Sequence, residues 1–229
     1  KILSWTYFVC FKIKKKNLIS KNVTNNKKTL AVRFPKHPLT RKLLSKLKYP
    51  LAAPSANIST KISPVEKQHV IEEFGKKIKF ILDGGKSTIG LESTIISLID
   101  KPQILRLGGL NRNELNKFLK IKAKYVKKTK NILVPGQGKL HYSPEIPIRL
   151  NVKNPRQFEA FVLIKKRKLS DKNYYYLSKN KNLREAAKNL YTVLRKIKKK
   201  KFKSIAIEKI PNKGIGEAIN DRLIRASKF

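Results

Sequence analysis

The sequence predicts an α/β protein. Short β-branched runs, such as Thr94 to Ile99 (TIISLI), read as strands. Leu183, Ala186, Ala187, Leu190, Leu194 and Ile197 recur at helical spacing, the mark of an amphipathic helix. After Pro147 strands and helices alternate, which argues for a small Rossmann-like α/β domain with a parallel sheet. The chain has 229 residues, enough for one large domain or two small ones with an ample core.

Taken in order, Thr29 to Phe34 (TLAVRF) reads as a strand and His37-Pro38 as a break. Thr40 to Leu47 reads as a short helix with Leu43, Leu44 and Leu47 on one side. Pro50 to Asn57 is too rich in Pro and Ala for regular structure and reads as a loop. Ser63-Pro64-Val65-Glu66 has the pattern of a capping box with Pro at the first helical position. The helix it opens points Val70, Ile71 and Phe74 inward and stops at Gly75. Ile78 to Leu82 predicts a strand, with Asp83-Gly84-Gly85 as its turn. Thr94 to Ile99 and Gln103 to Leu105 predict two more strands, and Asn113 to Leu119 a helix. Tyr125 to Tyr142 has no periodicity and reads as an interdomain linker. Strands follow at Ile148 to Leu150, Phe161 to Ile164, Tyr174 to Leu177 and Ser204 to Ile207. The chain closes with a Gly214–Gly216 turn and a helix through Ala218, Leu223 and Ile224. The domains expected are residues 1–124, a linker at 125–147, and residues 148–229.

Lys and Arg total 55 against 14 Asp and Glu, a formal charge of +41. A field of that size attracts polyanions such as tRNA or nucleotides. The lysines are spread along the whole chain, as bias toward A/T-rich codons would also produce. The single cysteine, Cys10, excludes an intramolecular disulfide and a cysteine-based metal site, and fits a reducing cytoplasm. No apolar run is long enough to span a bilayer, and Ile2 to Phe11, with its lysines after it, has the reverse order of a signal peptide. His37, His69 and His141 lack metal-site spacing. His69, on the helix after Ser63, reads as a surface or packing residue.

The densest chemical signal runs from Pro50 to Arg106. It contains PLAAPSANISTKISP (Pro50–Pro64), ILDGGKSTIGLESTIISL (Ile81–Leu98) and PQILRLGG (Pro102–Gly109). Small hydroxyl residues and glycines between β-branched runs build a phosphate- and carboxylate-binding wall from main-chain N–H groups and short side chains.

In combination these strings resemble the Sua5/YrdC/TsaC family, the L-threonylcarbamoyladenylate synthases. The segment PGQGKLHYSP (Pro135–Pro144) resembles the linker of the two-domain Sua5 form, and GIGEAINDRLIRAS (Gly214–Ser227) resembles its C-terminal motif. The resemblance covers the chain from about Thr29 onward. It implies a YrdC-like domain with a twisted mixed sheet, followed by the small C-terminal domain. It also implies condensation of L-threonine, bicarbonate and ATP, with Mg²⁺ on the triphosphate, into threonylcarbamoyl-AMP and pyrophosphate. The product would serve t6A modification at position 37 of tRNA, passing to other proteins of that pathway in the cytoplasm. No covalent enzyme intermediate is expected, so catalysis is positioning and charge stabilisation.

Residue by residue, the resemblance places Arg33, Ala53 and Ser93 at threonine. Arg33 brings a guanidinium fork suited to a carboxylate. Thr29, Ser55, Asn57, Ser63 and Arg106 fall at ATP. Thr29 is equally well explained as a strand threonine. Ser63 can serve as helix cap and phosphate neighbour together, because a helix N-terminus attracts anions. Glu92, beside Ser93, reads as structural or orienting, since a carboxylate facing ATP would repel it. Pro135, Gly136, His141 and Tyr142 belong to a linker that the family folds over the active site as a lid. The chain departs from the family pattern at Leu107, where Pro is usual, at Val134 for Ser and at Gln137 for Met.

The family also carries, ahead of the Arg33 strand, a PTET.YGLG-type threonine pocket and a basic Lys-x-Arg motif that binds the triphosphate. This sequence contains neither. Trp5-Thr6 stands where Pro-Gly-Pro is expected, and one codon set for that tripeptide, CCT-GGA-CCT, read two positions later encodes Trp-Thr, which motivates the hypothesis of a frameshift just upstream of about Phe11. A synthase inactive as this fragment is therefore one outcome left open. The alternative from a different class is a tRNA- or double-stranded-RNA-binding YrdC-like module without catalysis. A YrdC-like carbamoyltransferase is disfavoured by the Sua5-like linker and ending.

Overall fold

The computed structural model describes residues 7–14, 19–120, 122–126, 134, 136, 138, 140–167 and 171–228. In chain order the elements are β1 (Tyr7–Lys12), α1 (Lys21–Thr24), β2 (Thr29–Arg33), α2 (Pro38–Ser45), α3 (Lys67–Phe74), β3 (Thr94–Ser97), β4 (Gln103–Arg106), α4 (Arg112–Leu119) and β5 (Lys124–Tyr125). Then come β6 (Ile148–Arg149), β7 (Glu159–Lys165), β8 (Tyr174–Ser178), α5 (Leu183–Lys198), β9 (Ser204–Ile207) and α6 (Gly216–Ala226). They fall into two compact units, Lys1–Pro54 with Ser93–Pro135, and Ser55–Glu92 with Gly136–Phe229.

The first unit is built on a five-stranded mixed sheet of order β2-β1-β3-β4-β5. β1 pairs antiparallel with β2 and parallel with β3, while β3 pairs antiparallel with β4. All four residues of the central strand β3 are buried, as expected of a strand covered on both faces. Cys10, Ile95, Leu105 and Val134 form a core cluster against which Phe8 packs. A register shift between Ile95 and Ile96 marks a bulge opposite β4. The helix expected at Asn113 to Leu119 is α4. Asn111 caps it, accepting from the Glu114 N–H at 3.1 Å, while the Glu114 carboxylate accepts from the Asn111 N–H at 3.1 Å. His37-Pro38 is the start of α2 rather than a break, because Pro at a first helical turn loses no intrahelical hydrogen bond.

The second unit carries a four-stranded, wholly parallel sheet of order β6-β9-β7-β8. This is the arrangement the alternating strand and helix pattern predicts. Asn182 caps α5 by accepting from the N–H groups of Arg184 and Glu185. The helix buries Ala186, Ala187, Leu190, Tyr191, Val193, Leu194 and Ile197. Two glycines permit close approaches. Gly90 has φ +79°, and a Cβ there would lie 2.5 Å from Lys188 backbone atoms. A Cβ on Gly216 would lie 2.0 Å from the Pro211 carbonyl oxygen. At the start of the inner strand β7, Glu159 accepts from Arg149 Nε and Nη2 at 2.8 and 2.5 Å, from Ser204 Oγ and from the Arg156 N–H.

Three local expectations in this unit are overturned. Ser63-Pro64-Val65-Glu66 is not a capping box: α3 begins at Lys67, and its N-cap Glu66 makes no side-chain cap bond. The Ser63 hydroxyl is engaged elsewhere, and the Val65 N–H donates to His69 Nδ1 at 3.3 Å. His69 is the buried residue of α3, whereas Ile71 is exposed. Residues 78–82 form no strand. Phe80 is 90% exposed and Leu82 57% exposed. No described strand pairs with them, and β-branched residues do not hold strand geometry without a ladder for their backbone groups.

Three outcomes follow. Gly90→Ala should destabilise the protein by about 2–4 kcal/mol in chemical denaturation, since positive φ and a backbone clash act together. Gly85→Ala, at φ +72° but in open space, should cost only about 1 kcal/mol. Arg149, chiefly, holds the Glu159 carboxyl down to about 2, from an ordinary 4.5. The native state thus favours the ionised form. The stability this contributes is complete above about pH 4.5 and is lost as pH falls toward 2. Glu159→Gln should flatten acid-induced loss of stability across that window.

Candidate functional site

In the first unit the sheet register sets the geometry. Arg33 pairs with Phe8, Phe8 with Ile95, and Ile95 with Arg106, so two arginines end one row across four strands. Three strand spacings separate their backbones by about 14 Å, a gap that long side chains narrow. Arg33 is exposed, with its guanidinium 5.4 Å from the Phe8 ring centre. Desolvation first, then repulsion from Arg106, holds the Arg33 pKa below its usual value. Two cations that raise each other's energy favour an anion between them.

Arg106 is buried. Its Nε and Nη2 both donate to the Ser93 carbonyl, at 3.1 and 2.8 Å, which fixes the residue just before β3. Thr94 Oγ1 donates to the Leu110 carbonyl at 2.6 Å and pins the start of that strand. Arg33, Ser93 and Arg106 are thus assembled on one sheet. Thr29 lies elsewhere on it, lining a cavity of about 210 Å³ with Cys10, Ser97, Gln103 and Val134. Ala53 is exposed in a loop of this unit. Pro135 lies outside the described residues.

In the second unit Ser55 is exposed and Asn57 is buried. Asn57 Nδ2 donates to the carbonyls of Ile58 and Lys61 at 2.9 and 3.2 Å, closing the loop on itself, and its buried Oδ1 has no hydrogen-bond partner among the described residues. The linker runs beside this loop. Lys61 and Ser143 form a parallel bridge, and the Ser143 N–H donates to the Thr60 carbonyl at 2.8 Å. Thr60 and Tyr142 have φ of +71° and +64°, and Gly136 has +85°. For a β-branched or bulky residue that is strained backbone, of the kind concentrated at functional sites.

Tyr142 is 1% exposed, stacks on Tyr191 with ring centroids 5.9 Å apart, and lies under the Arg222 guanidinium at 4.9 Å. His141 is half-buried, its ring centroid 4.1 Å from that of Tyr142. Arg225 Nη1 donates to the Gly138 carbonyl at 2.8 Å. The linker is therefore held by α6.

Ser63 Oγ donates to Glu92 Oε1 at 2.6 Å. The same carboxylate accepts from Tyr191 Oη at 3.0 and 3.1 Å and from Arg222 Nε at 2.8 Å. Arg222, 1% exposed, also donates to Asp221 at 2.8 Å. Despite desolvation, the surrounding Tyr142, Glu92, Tyr191 and Asp221 raise the Arg222 pKa well above normal, so it is a cation throughout. Burial and Glu92 raise the Tyr191 phenol well above its normal pKa, so it stays a donor. Sequence reasoning gave Glu92 an orienting part but missed Tyr191 and Arg222. Tyr191 reads as one more residue of an apolar helix face. The signal for Arg222 was its place inside the AINDRLIRA string. Among the described residues no group of three or more His, Cys, Asp or Glu could hold a metal ion, and no helix is long and apolar enough to cross a membrane.

Comparison with known proteins adds the following. Residues 6–108 match the Sua5/YciO/YrdC family model, described as telomere recombination, and residues 110–228 match the model of the threonylcarbamoyl-AMP synthase C-terminal domain. The chain is 35% identical to the threonylcarbamoyl-AMP synthase of Pyrococcus abyssi, over 94% of this chain and 68% of that protein. It is 30% identical to that of Bacillus subtilis, over 93% and 67%. It thus spans about two thirds of the length of these relatives. The crystal structure of P. abyssi Sua5 complexed with L-threonine superposes with a TM-score of 0.83 at 30% identity, covering 96% of this chain and 70% of that one.

Proposed function

Because the chain belongs to the Sua5/YrdC family, with the two Sua5 family models in tandem, we propose that it is a threonylcarbamoyl-AMP synthase of the two-domain Sua5 type. L-threonine, bicarbonate and the Mg²⁺ complex of ATP are the substrates in this reading. The P. abyssi relative complexed with L-threonine supports the choice of amino acid. The threonine amine attacks the bicarbonate carbon, a C–N bond forms, and a C–O bond breaks as water leaves with an amine proton, giving the carbamate. The new carboxylate then attacks the α-phosphorus, a P–O bond forms, and the bond to the β-phosphate breaks with release of pyrophosphate. The product feeds tRNA modification, which implies a cytoplasmic setting and a receiving protein of the same pathway.

The observation that carries the reading is the Arg33–Arg106 row with Ser93 fixed beside it. Carboxylate and phosphate are the two anions such a row suits. Arg33 takes the threonine carboxylate, Ser93 the rest of the amino acid, and Arg106 the nucleotide. Residues 1–124 supply this catalytic part, residues 125–147 the lid with His141 and Tyr142, and residues 148–229 the C-terminal domain.

The test is pyrophosphate release by the purified chain with ATP, L-threonine and bicarbonate. Release that depends on threonine is expected, and Ser93→Ala should abolish most of it. Arg33→Ala should raise the threonine KM about 10- to 100-fold, the worth of a charge-assisted hydrogen bond. A folded chain that releases no pyrophosphate in response to threonine would overturn the reading.

A further inference from the structure

Resting on the synthase reading, we propose that Phe8 is a positioning residue for Arg33: the face of its ring sets the guanidinium and leaves the N–H donors open to the substrate carboxylate. β2 is an edge strand of its sheet, so in the register row Arg33 has one strand neighbour, Phe8 of β1. The Arg33 guanidinium carbon lies 5.4 Å from the Phe8 ring centre, within cation–π range. Among the described residues Arg33 forms no hydrogen bond and no ion pair, so nothing else in this sheet orients its fork. The ring is itself fixed from below. Phe8 is half-buried and packs against the core cluster of Cys10, Ile95, Leu105 and Val134.

An aromatic ring suits this place better than an acid. A carboxylate at residue 8 would hold Arg33 more firmly, but it would occupy the fork and cancel the charge. A ring does neither. Its negative face attracts the cation and uses none of the N–H groups. The contact also offsets part of the cost that desolvation and Arg106 place on the Arg33 charge, without reducing its attraction for an anion. An edge-strand arginine with no such support samples many rotamers, and binding a ligand has to freeze them. Phe8 and Ile95 fill the two places between the arginines of the row, all within the first unit. Phe8 therefore acts through Arg33 and need not touch the substrate.

A double-mutant cycle on L-threonine binding, read by calorimetry on the full chain, tests this. Phe8→Leu keeps an apolar side chain on the core cluster and removes the ring face, and Phe8→Met does the same with a more adaptable chain. Each should weaken threonine binding about threefold to tenfold, the scale of a cation–π contact, and leave ATP binding unchanged. Phe8→Tyr retains the ring and should retain the affinity of the unsubstituted chain. In an Arg33→Ala background Phe8→Leu should have no further effect, because the path runs through Arg33. Unchanged threonine binding in Phe8→Leu, equal losses of threonine and ATP affinity, a loss in Phe8→Tyr as large as in Phe8→Leu, or the same loss with and without the Arg33 side chain would overturn the positioning role and leave the synthase reading standing. Failure of the unsubstituted chain to bind threonine would overturn the synthase reading and this proposal with it.

Discussion

The ion pair between Arg222 and Glu92 is the constraint around which the second unit is arranged. A guanidinium 1% exposed is tolerated only if its charge is met and its donors are occupied. Glu92 and Asp221 meet the charge, and the Tyr142 ring covers the face. Removing one member of such a pair commonly costs about 3–5 kcal/mol, far more than an exposed pair is worth. Glu92 lies in a loop, Arg222 in the last helix and Tyr142 in the linker, so one buried charge commits three distant stretches of chain to one arrangement. The ion pairs of Arg195 with Glu73 and of Lys61 with Glu145 lie within the same unit, the first tying α5 to α3 and the second tying the loop at Lys61 to the stretch after Ser143.

The first unit has a different logic. Its sheet is mixed, and its candidate site is a row rather than a cluster. Strand pairing places Arg33, Phe8, Ile95 and Arg106 side by side, and the register decides which side chains share the row. Arg106 has a second duty, because its fork on the Ser93 carbonyl fixes the backbone where β3 begins. Lysine could keep the charge but not the fork.

How much of this was legible in the sequence depended on how local the signal was. The helix α5 and strands β7 to β9 follow from strong periodicity and need no partner to be recognised. The strand expected at residues 78–82 needs a ladder that no described strand provides, and its Phe80 faces solvent. The capping pattern at Ser63 was plausible locally and lost to a carboxylate 29 residues away. Arg33, Ser93 and Arg106 were singled out through motif resemblance, whereas spacing alone would have left them ordinary strand residues. Tyr191 and Arg222 escaped notice because their partner, Glu92, is 99 and 130 residues distant. An arginine in an amphipathic helix reads as part of the wet face until the structure shows it buried.

The central claim is that the buried pair holds the C-terminal helices, the linker and the Ser63 loop as one cooperative body. Native-state hydrogen exchange tests it most directly, read at the Ser143 amide that bonds to Thr60 and at the Val65 amide that bonds to His69. The account predicts that both exchange through the same opening as the core amides of α6, and that all lose protection together in Arg222→Gln. Loss of protection in α6 alone, with Ser143 and Val65 as well protected as before, would contradict it.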